Sequence, residues 1–290
     1  MKLKILINGL ILLIISSCTT LNSQSDVKQA QKQSLAQPGV VSYTFRHQFD
    51  EDIPGTLDII KEMGITNIEF SNLFGATSQE LRNMLDERGL VCTSYGVGYN
   101  DLVNNPEQVA KDAHNLGAKF VRTAWIPHDS PFTIEDAERT VADFNSAGRA
   151  LNEEGLMFAY HNHGFEFRPY GDGTLFDYIV TNTNPDYVGF EMDLLWTTYP
   201  GQDPVALLEK YPERFKLMHY KDLKKGVVGD LSGGAPDEYD VPLGTGQVDF
   251  PAVIEAARNT AIENFYIEDE TDDVITRVPK SREFIMSLTQ

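Results

Sequence analysis

Between Phe158 and Gly173 the chain reads FAYHNHGFEFRPYGDG, which places His161, His163 and Glu166 where an apolar run gives way to a glycine-rich loop. Six histidines occur in 290 residues, so two of them one residue apart are conspicuous. Three later runs end in the same manner: FEMD with Asp193, MHYKD with His219 and YIEDE with Glu268. Glu166, Asp193, His219 and Glu268 are oxygen and nitrogen donors with no thiolate among them, a set that suits Mn²⁺, Mg²⁺, Co²⁺ or Zn²⁺. A cation held on a carbonyl and its neighbouring hydroxyl stabilises an enediolate, and a carboxylate beside it can take the proton from the intervening carbon. Glu166 and Glu268, approaching from opposite faces, would remove a proton on one side and return it on the other.

Other roles are open to the same residues. Asp193 could cap the helix read over DPVALLEKY. His161 and His163 share a strand face, so both could bind metal in a His/His/Asp/His set; otherwise one contacts substrate hydroxyls and the other orients Glu166. Glu191 shares the face of Asp193 one layer deeper and at most supports a ligand from beneath, while Asp269 points away from Glu268. Lys221, on the face of His219, is either a substrate or oxyanion contact or a surface lysine paired with Asp222. Arg46 and Trp196, with Tyr43 and His47, fall after strands one and six, where substrate is shaped by stacking or where side chains merely pack.

Positioning these groups takes a scaffold that ends many strands at one place. Eight short strand patterns are legible: 39–45, 66–70, 90–96, 119–125, 156–162, 187–193, 214–220 and 264–270. Amphipathic segments alternate with them, and several close on a glycine suited to a left-handed cap, namely Gly64, Gly89, Gly117 and Gly155. Strand then helix, eight times over, is the arithmetic of a single-domain α/β fold, the (β/α)₈ TIM barrel, whose sites lie at the C-terminal strand ends. A doubly wound open sheet is the rival, but SYTFRHQF follows the first strand where a glycine-rich phosphate loop would be needed.

The first residues are of another kind. Lys2 and Lys4 precede the apolar ILINGLILLIISS, and ISSC ends at Cys18. The apolar run is shorter than the roughly 17–25 residues of a membrane-spanning helix. Residues 1–17 resemble a bacterial lipoprotein signal peptide with Cys18 as the lipidated residue, residues 18–37 read as a flexible tether, and residues 38–290 form the barrel. These boundaries imply an exported cell-envelope lipoprotein, in the periplasm or on the outer membrane, attached to the membrane only through its N-terminal lipid. Cys92, in LVCTSYGV, is then the remaining cysteine and reads as a buried small residue. With 24 basic against 43 acidic side chains the formal charge is −19, which repels phosphate backbones and excludes nucleic acid as a partner. Association into a homo-oligomer is compatible with the composition.

The ordered set Glu166, Asp193, His219 and Glu268, with YHNHGFEF, HYKD and VPLGTGQVDF, resembles the metal quartet and motifs of the xylose isomerase-like barrel superfamily, the sugar phosphate isomerase/epimerase group. The resemblance covers residue 39 to the C-terminus. It implies a divalent cation on two vicinal sugar oxygens and two glutamates moving protons at carbon. The ketose 3-epimerases of that group carry a histidine three residues after the strand-six aspartate, where this chain has Trp196. They also carry an arginine after the strand-seven histidine, where this chain has Lys221, Lys224 and Lys225. The expected activity is a metal-dependent isomerase or epimerase acting on a small carbohydrate or oxidised sugar. The alternatives are a lyase or hydrolase-like cleavage of 3-keto-glycosides by β-elimination at the same site, and a carbohydrate-binding lipoprotein without turnover. An abasic-site endonuclease needs more histidines and a basic face. The leader itself makes a prediction: Cys18→Ala should leave the precursor uncut by the lipoprotein peptidase on a gel shift, and release at wild-type size would refute it.

Overall fold

The computed structural model describes residues 26, 28, 29 and 31–289. Residues 1–17, read above as a leader, and Cys18, read as a lipidation site, lie outside them. Eight parallel strands close into one barrel: β1 Gly39–Val41, β2 Asn67–Phe70, β3 Val91–Gly96, β4 Phe120–Thr123, β5 Met157–His161, β6 Val188–Asp193, β7 Phe215–Tyr220 and β8 Asn264–Ile267. β1 pairs with both β2 and β8, which closes the ring. All eight strand patterns read from the sequence are present, the first cut short where Ser42–Phe45 turns into a 3₁₀ helix.

Helices wrap the outside, and the chain marks their ends in chemical terms. Thr77, Thr133 and Thr174 open helices with reciprocal capping boxes to Glu80, Asp136 and Asp177. Gly64, Gly89, Gly117 and Gly155 all adopt positive φ where helices hand over to strands, a conformation that would strain a residue with a Cβ. Inside the barrel a small plug of Val41, Phe120, Ala159, Leu217 and Tyr266 is fully buried. Side chains repeat their facing every second residue along a strand. Two residues beyond each plug position, toward the C-terminal mouth, come Tyr43, Arg122, His161, His219 and Glu268. The apolar plug thus dictates which polar side chains rise into the mouth.

The tether read over residues 18–37 ends earlier than expected. Residues 31–36 are helical, Leu35 is buried, Gln31 Nε2 donates to Thr260 O at 2.9 Å, and Ser34 Oγ accepts from the Phe265 amide at 3.1 Å. One apolar residue and two polar contacts dock this helix against the N-terminal end of β8, the bottom of the barrel. Among the described residues no helix is long and apolar enough to cross a membrane.

A second device sits at the mouth. Asp222–Leu223 pairs antiparallel with Asp240–Val241, and residues 224–239 arch between them. Asp222, far from pairing with Lys221, accepts backbone N–H bonds from Gly244 (2.9 Å), Gly246 (2.8 Å) and Val248 (3.1 Å). A Cβ on Gly246 would lie 2.3 Å from Asp222 Oδ1, so the VPLGTGQVDF motif uses glycine to let backbone approach the carboxylate. Asp222→Ala would orphan three amides at a cost of about 2–4 kcal/mol. The melting temperature should fall by roughly 4–12 °C in a calorimetric scan, and an unchanged midpoint would exclude this role.

Candidate active site

β5, β6 and β7 and the residue after β8 converge at the mouth, where His161, Asp193, His219 and Glu268 each bring one donor atom within 4.8 Å of the others. All four are buried. Register explains the meeting: His161 pairs with Glu191, and Asp193 with His219, on neighbouring strands. His161 Nε2 and His219 Nδ1 each lie 3.9 Å from Asp193 Oδ2, and His219 Nδ1 lies 3.1 Å from Glu268 Oε2. Asp193 divides its labour. Oδ1 accepts the Trp196 amide at 2.7 Å and caps the short helix Leu194–Thr198, whereas the helix over DPVALLEKY is capped by Asp203. Oδ2 is buried with no hydrogen-bond partner. A buried carboxylate oxygen without a donor is costly, and two imidazole nitrogens and a second carboxylate aimed beside it are a donor set that one divalent cation, with bonds of about 2.0–2.2 Å, would satisfy.

The far nitrogen of each histidine is also accounted for. His161 Nδ1 meets Glu191 Oε2 at 3.1 Å, and His219 Nε2 meets Glu69 Oε1 at 2.9 Å and Glu191 Oε1 at 3.2 Å. Arg122 donates to Glu69 through Nε (3.1 Å) and Nη2 (2.7 Å) and reaches Glu191 at 3.4 Å. Carboxylates behind a ligating imidazole fix its tautomer and orientation. Glu191 therefore stands one layer beneath the donors, where the alternation places it. Glu69 and Arg122 are functional groups that sequence reasoning passed over, although a lone charge inside an otherwise apolar strand such as NIEF or FVRT is a signal, because such groups are buried only when paired.

Charge tuning in this layer follows from geometry. Burial pushes His161 well below the usual histidine range, with the positive neighbours His219, His163 and Arg122 acting in the same direction. His219 is raised well above it: burial opposes this and is outweighed by Glu191, Glu268 and Glu69. Glu69 falls to about 2, because Arg122 and His219 overcome its burial. Burial lifts Asp193 to about 7, with Glu268 adding to the rise and Lys221 and His219 opposing it.

The structure corrects the placement of Glu166. The left-handed Gly164 (φ 99°) turns the chain into the 3₁₀ turn Phe165–Phe167, and Glu166 Oε1 folds back to accept from Tyr160 Oη (3.0 Å) and the His163 amide (2.9 Å). Glu166 is fully buried, burial carries it up to about 7, and it is not among the four clustered donors; His161 takes that position. It is the His163 backbone, not its ring, that orients Glu166. The His163 ring lies 4.9 Å from His161 and stacks on Trp196 at 5.3 Å. Trp196 lines the cavity but is only 6% exposed, with the Lys221 ammonium 5.5 Å from its ring centre, so it backs His163 and offers little face to a substrate. Lys221 is buried and bonded to Glu268 Oε2 (3.3 Å) and to Glu270. Arg46 lies outside the cavity: it reaches across to Glu270 O at 2.8 Å and ties the β1 and β8 loops together.

The model of a known protein family, described as Xylose isomerase-like TIM barrel, matches residues 57–288. The chain belongs to that family. It is 24% identical over 251 residues to an inosose dehydratase of Lacticaseibacillus casei, covering 75% of this chain and 81% of the relative. A sugar phosphate isomerase/epimerase structure from Parabacteroides distasonis superposes with a TM-score of 0.70 at 25% identity, covering 87% of this chain and 95% of that one. The IOLI protein with a binding zinc atom shares the fold, with a TM-score of 0.68 at 14% identity over 87% of this chain and 96% of that one.

Removing one donor of four should remove most of the bound metal. His161→Ala, Asp193→Ala and His219→Ala should each lose Mn²⁺ by elemental analysis, while Glu166→Gln keeps it; the opposite pattern would restore Glu166 as the ligand. The cation must displace the proton that Asp193 holds below about pH 7. His219, a second donor whose proton is held well above the usual histidine range, must lose it as well, so apparent Mn²⁺ affinity should rise continuously from pH 5.5 upward in calorimetric titrations, and a flat profile would contradict the arrangement.

Proposed function

We propose that the protein is a divalent-cation-dependent lyase that removes a proton beside a ketone on a polyhydroxylated ring and expels the oxygen substituent one carbon further on. The observation that carries this reading is that the glutamates lining the cavity, Glu268 and Glu270, stand two residues apart on one wall, so no carboxylate faces them from the opposite side. A two-base epimerase needs a second carboxylate on the other face of the substrate, and Glu166 is turned away. Elimination needs one base and one acid, and Glu268 and Lys221 lie side by side at 3.3 Å. The likeness to an inosose dehydratase supports the same reaction class.

His161 Nε2, Asp193 Oδ2, His219 Nδ1 and Glu268 Oε2 would hold the cation, and the structural neighbour with a bound zinc atom supports a divalent metal in this fold. When bound it supplies Lewis-acid stabilisation of the charge that develops on the ketone oxygen. Glu268 is kept ionised, since Lys221 and His219 overcome its burial and hold it well below the usual carboxylate range. It takes the carbon-bound proton. The C–H electron pair becomes the new C=C bond as the C–O bond breaks. Lys221, held charged because Glu268, Glu270, Asp193 and Asp240 outweigh its burial, gives its proton to the departing oxygen. The proton on Glu268 then returns to the Lys221 amine and restores both groups.

A second reading keeps the first proton transfer and returns the proton to carbon, giving an isomer or epimer; the likeness to the Parabacteroides distasonis structure favours it. With the lipoprotein leader read from the sequence, we place either chemistry in the cell envelope, on unphosphorylated sugars.

Mn²⁺-loaded protein incubated in D₂O with an inosose and with a methyl 3-keto-glucoside separates these readings by NMR. Elimination yields an enone with water or methanol released. A deuterated epimer without release would overturn the lyase reading, and neither release nor deuterium would make the protein a binding module. Glu268→Gln should cut turnover on the order of 10²–10⁴-fold, whereas Glu166→Gln should retain most of it.

A further inference from the structure

The sequence holds two tryptophans, and both line the cavity above the cation cluster. They differ in what covers them. Trp196 is packed between His163, Lys221 and Tyr199. Trp125, just beyond β4, is 44% exposed. Its indole is nonetheless held firmly: His128 stacks on it at 5.5 Å, Phe165 meets it edge-on at 5.0 Å and His163 at 5.5 Å. His128 is anchored in turn through Nδ1 to Ile126 O at 2.7 Å. An exposed indole buttressed on its back and edges is preorganised to bind, because little rotamer freedom remains to be lost.

Position gives the platform its meaning. His163 touches His161, a member of the cluster, and Trp125 touches His163, so the platform lies one ring beyond the reacting centre. Beside it the arch brings Gly233 and Gly234 to the cavity rim. Gly233 has φ +74°, and a Cβ there would lie 2.7 Å from Phe165 Cδ1 and 3.3 Å from Trp125 Cζ3. Glycine at this position brings the arch down beside the indole without covering it. The cavity of about 490 Å³ falls within the roughly 300–1,000 Å³ of sites that engulf drug-sized ligands, more room than a cation and one small ring require.

We propose that Trp125 is the floor of an outer sugar subsite, which stacks the ring on the leaving-group side of a glycosidic substrate while the keto ring occupies the cluster. This rests on the lyase reading above and narrows its substrate class from cyclic hydroxyketones to oxidised glycosides with a second ring. The apolar face of a pyranose is the partner a bare indole face takes.

The test measures binding, so it does not depend on turnover. Mn²⁺-loaded full-length protein is titrated with cellobiose and with glucose, followed by ligand-observed NMR and tryptophan emission. Cellobiose should bind about 3- to 10-fold more tightly than glucose, the worth of one stacked ring. Trp125→Ala should bring cellobiose down to the glucose level and leave glucose within about 2-fold, and Trp125→Phe should keep most of the preference. In Trp196→Phe, where Trp125 is the emitter, cellobiose should shift the emission more than glucose does. Equal affinity for the two sugars in the wild type, or equal loss of both in Trp125→Ala, would overturn the subsite. Binding of neither sugar would overturn it together with the sugar reading beneath it. A cellobiose preference lost in Trp125→Ala would establish the subsite even if the enone assay failed.

Discussion

Four carboxyl groups, Glu69, Glu191, Asp193 and Glu268, are buried together at the mouth of this barrel with Arg122 and Lys221 as their cationic partners. Carboxylates in low dielectric repel strongly unless neutralised. Part of the deficit is met by protons: burial lifts Glu191, like Asp193, to about 7, and His219 is held protonated. A divalent cation meets the same deficit without protons. Much of the surrounding structure serves this electrostatic account, from the Arg122 fork behind Glu69 to the second nitrogen of each histidine. The apolar plug beneath sets these groups at the height where they pair with one another, and it leaves Asp193 Oδ2 as the oxygen that a cation would satisfy.

Much of the fold was legible because its signals are local. Period-two apolar runs and capping glycines need no tertiary knowledge, and the barrel follows from their alternation. The first docked helix was missed for the opposite reason: residues 31–36 are polar apart from Leu35 and Ala36, and their attachment depends on contacts with residues more than two hundred positions away.

In the site, Asp193, His219 and Glu268 were legible from strand ends alone. Glu166 was misplaced because spacing measures distance along the chain, and Gly164 reverses direction between His161 and Glu166. Glu69 and Arg122 escaped because their partners are on other strands, so no stretch of sequence shows the pairing. Lys221 was open to two readings, a contact in the site or a surface ion pair with Asp222, and period-two alternation decides between them by sending Lys221 into the mouth and Asp222 to the loop amides.

The helix at residues 31–36 is fastened to the barrel floor, at the opposite pole from the mouth that gathers the donor cluster. Were the protein moored by whatever precedes that helix, the mooring would leave from below and the entrance would open outward. Ligands would then arrive from the bulk compartment without passing between protein and anchor, and the arch of residues 224–239 would be free to meet them.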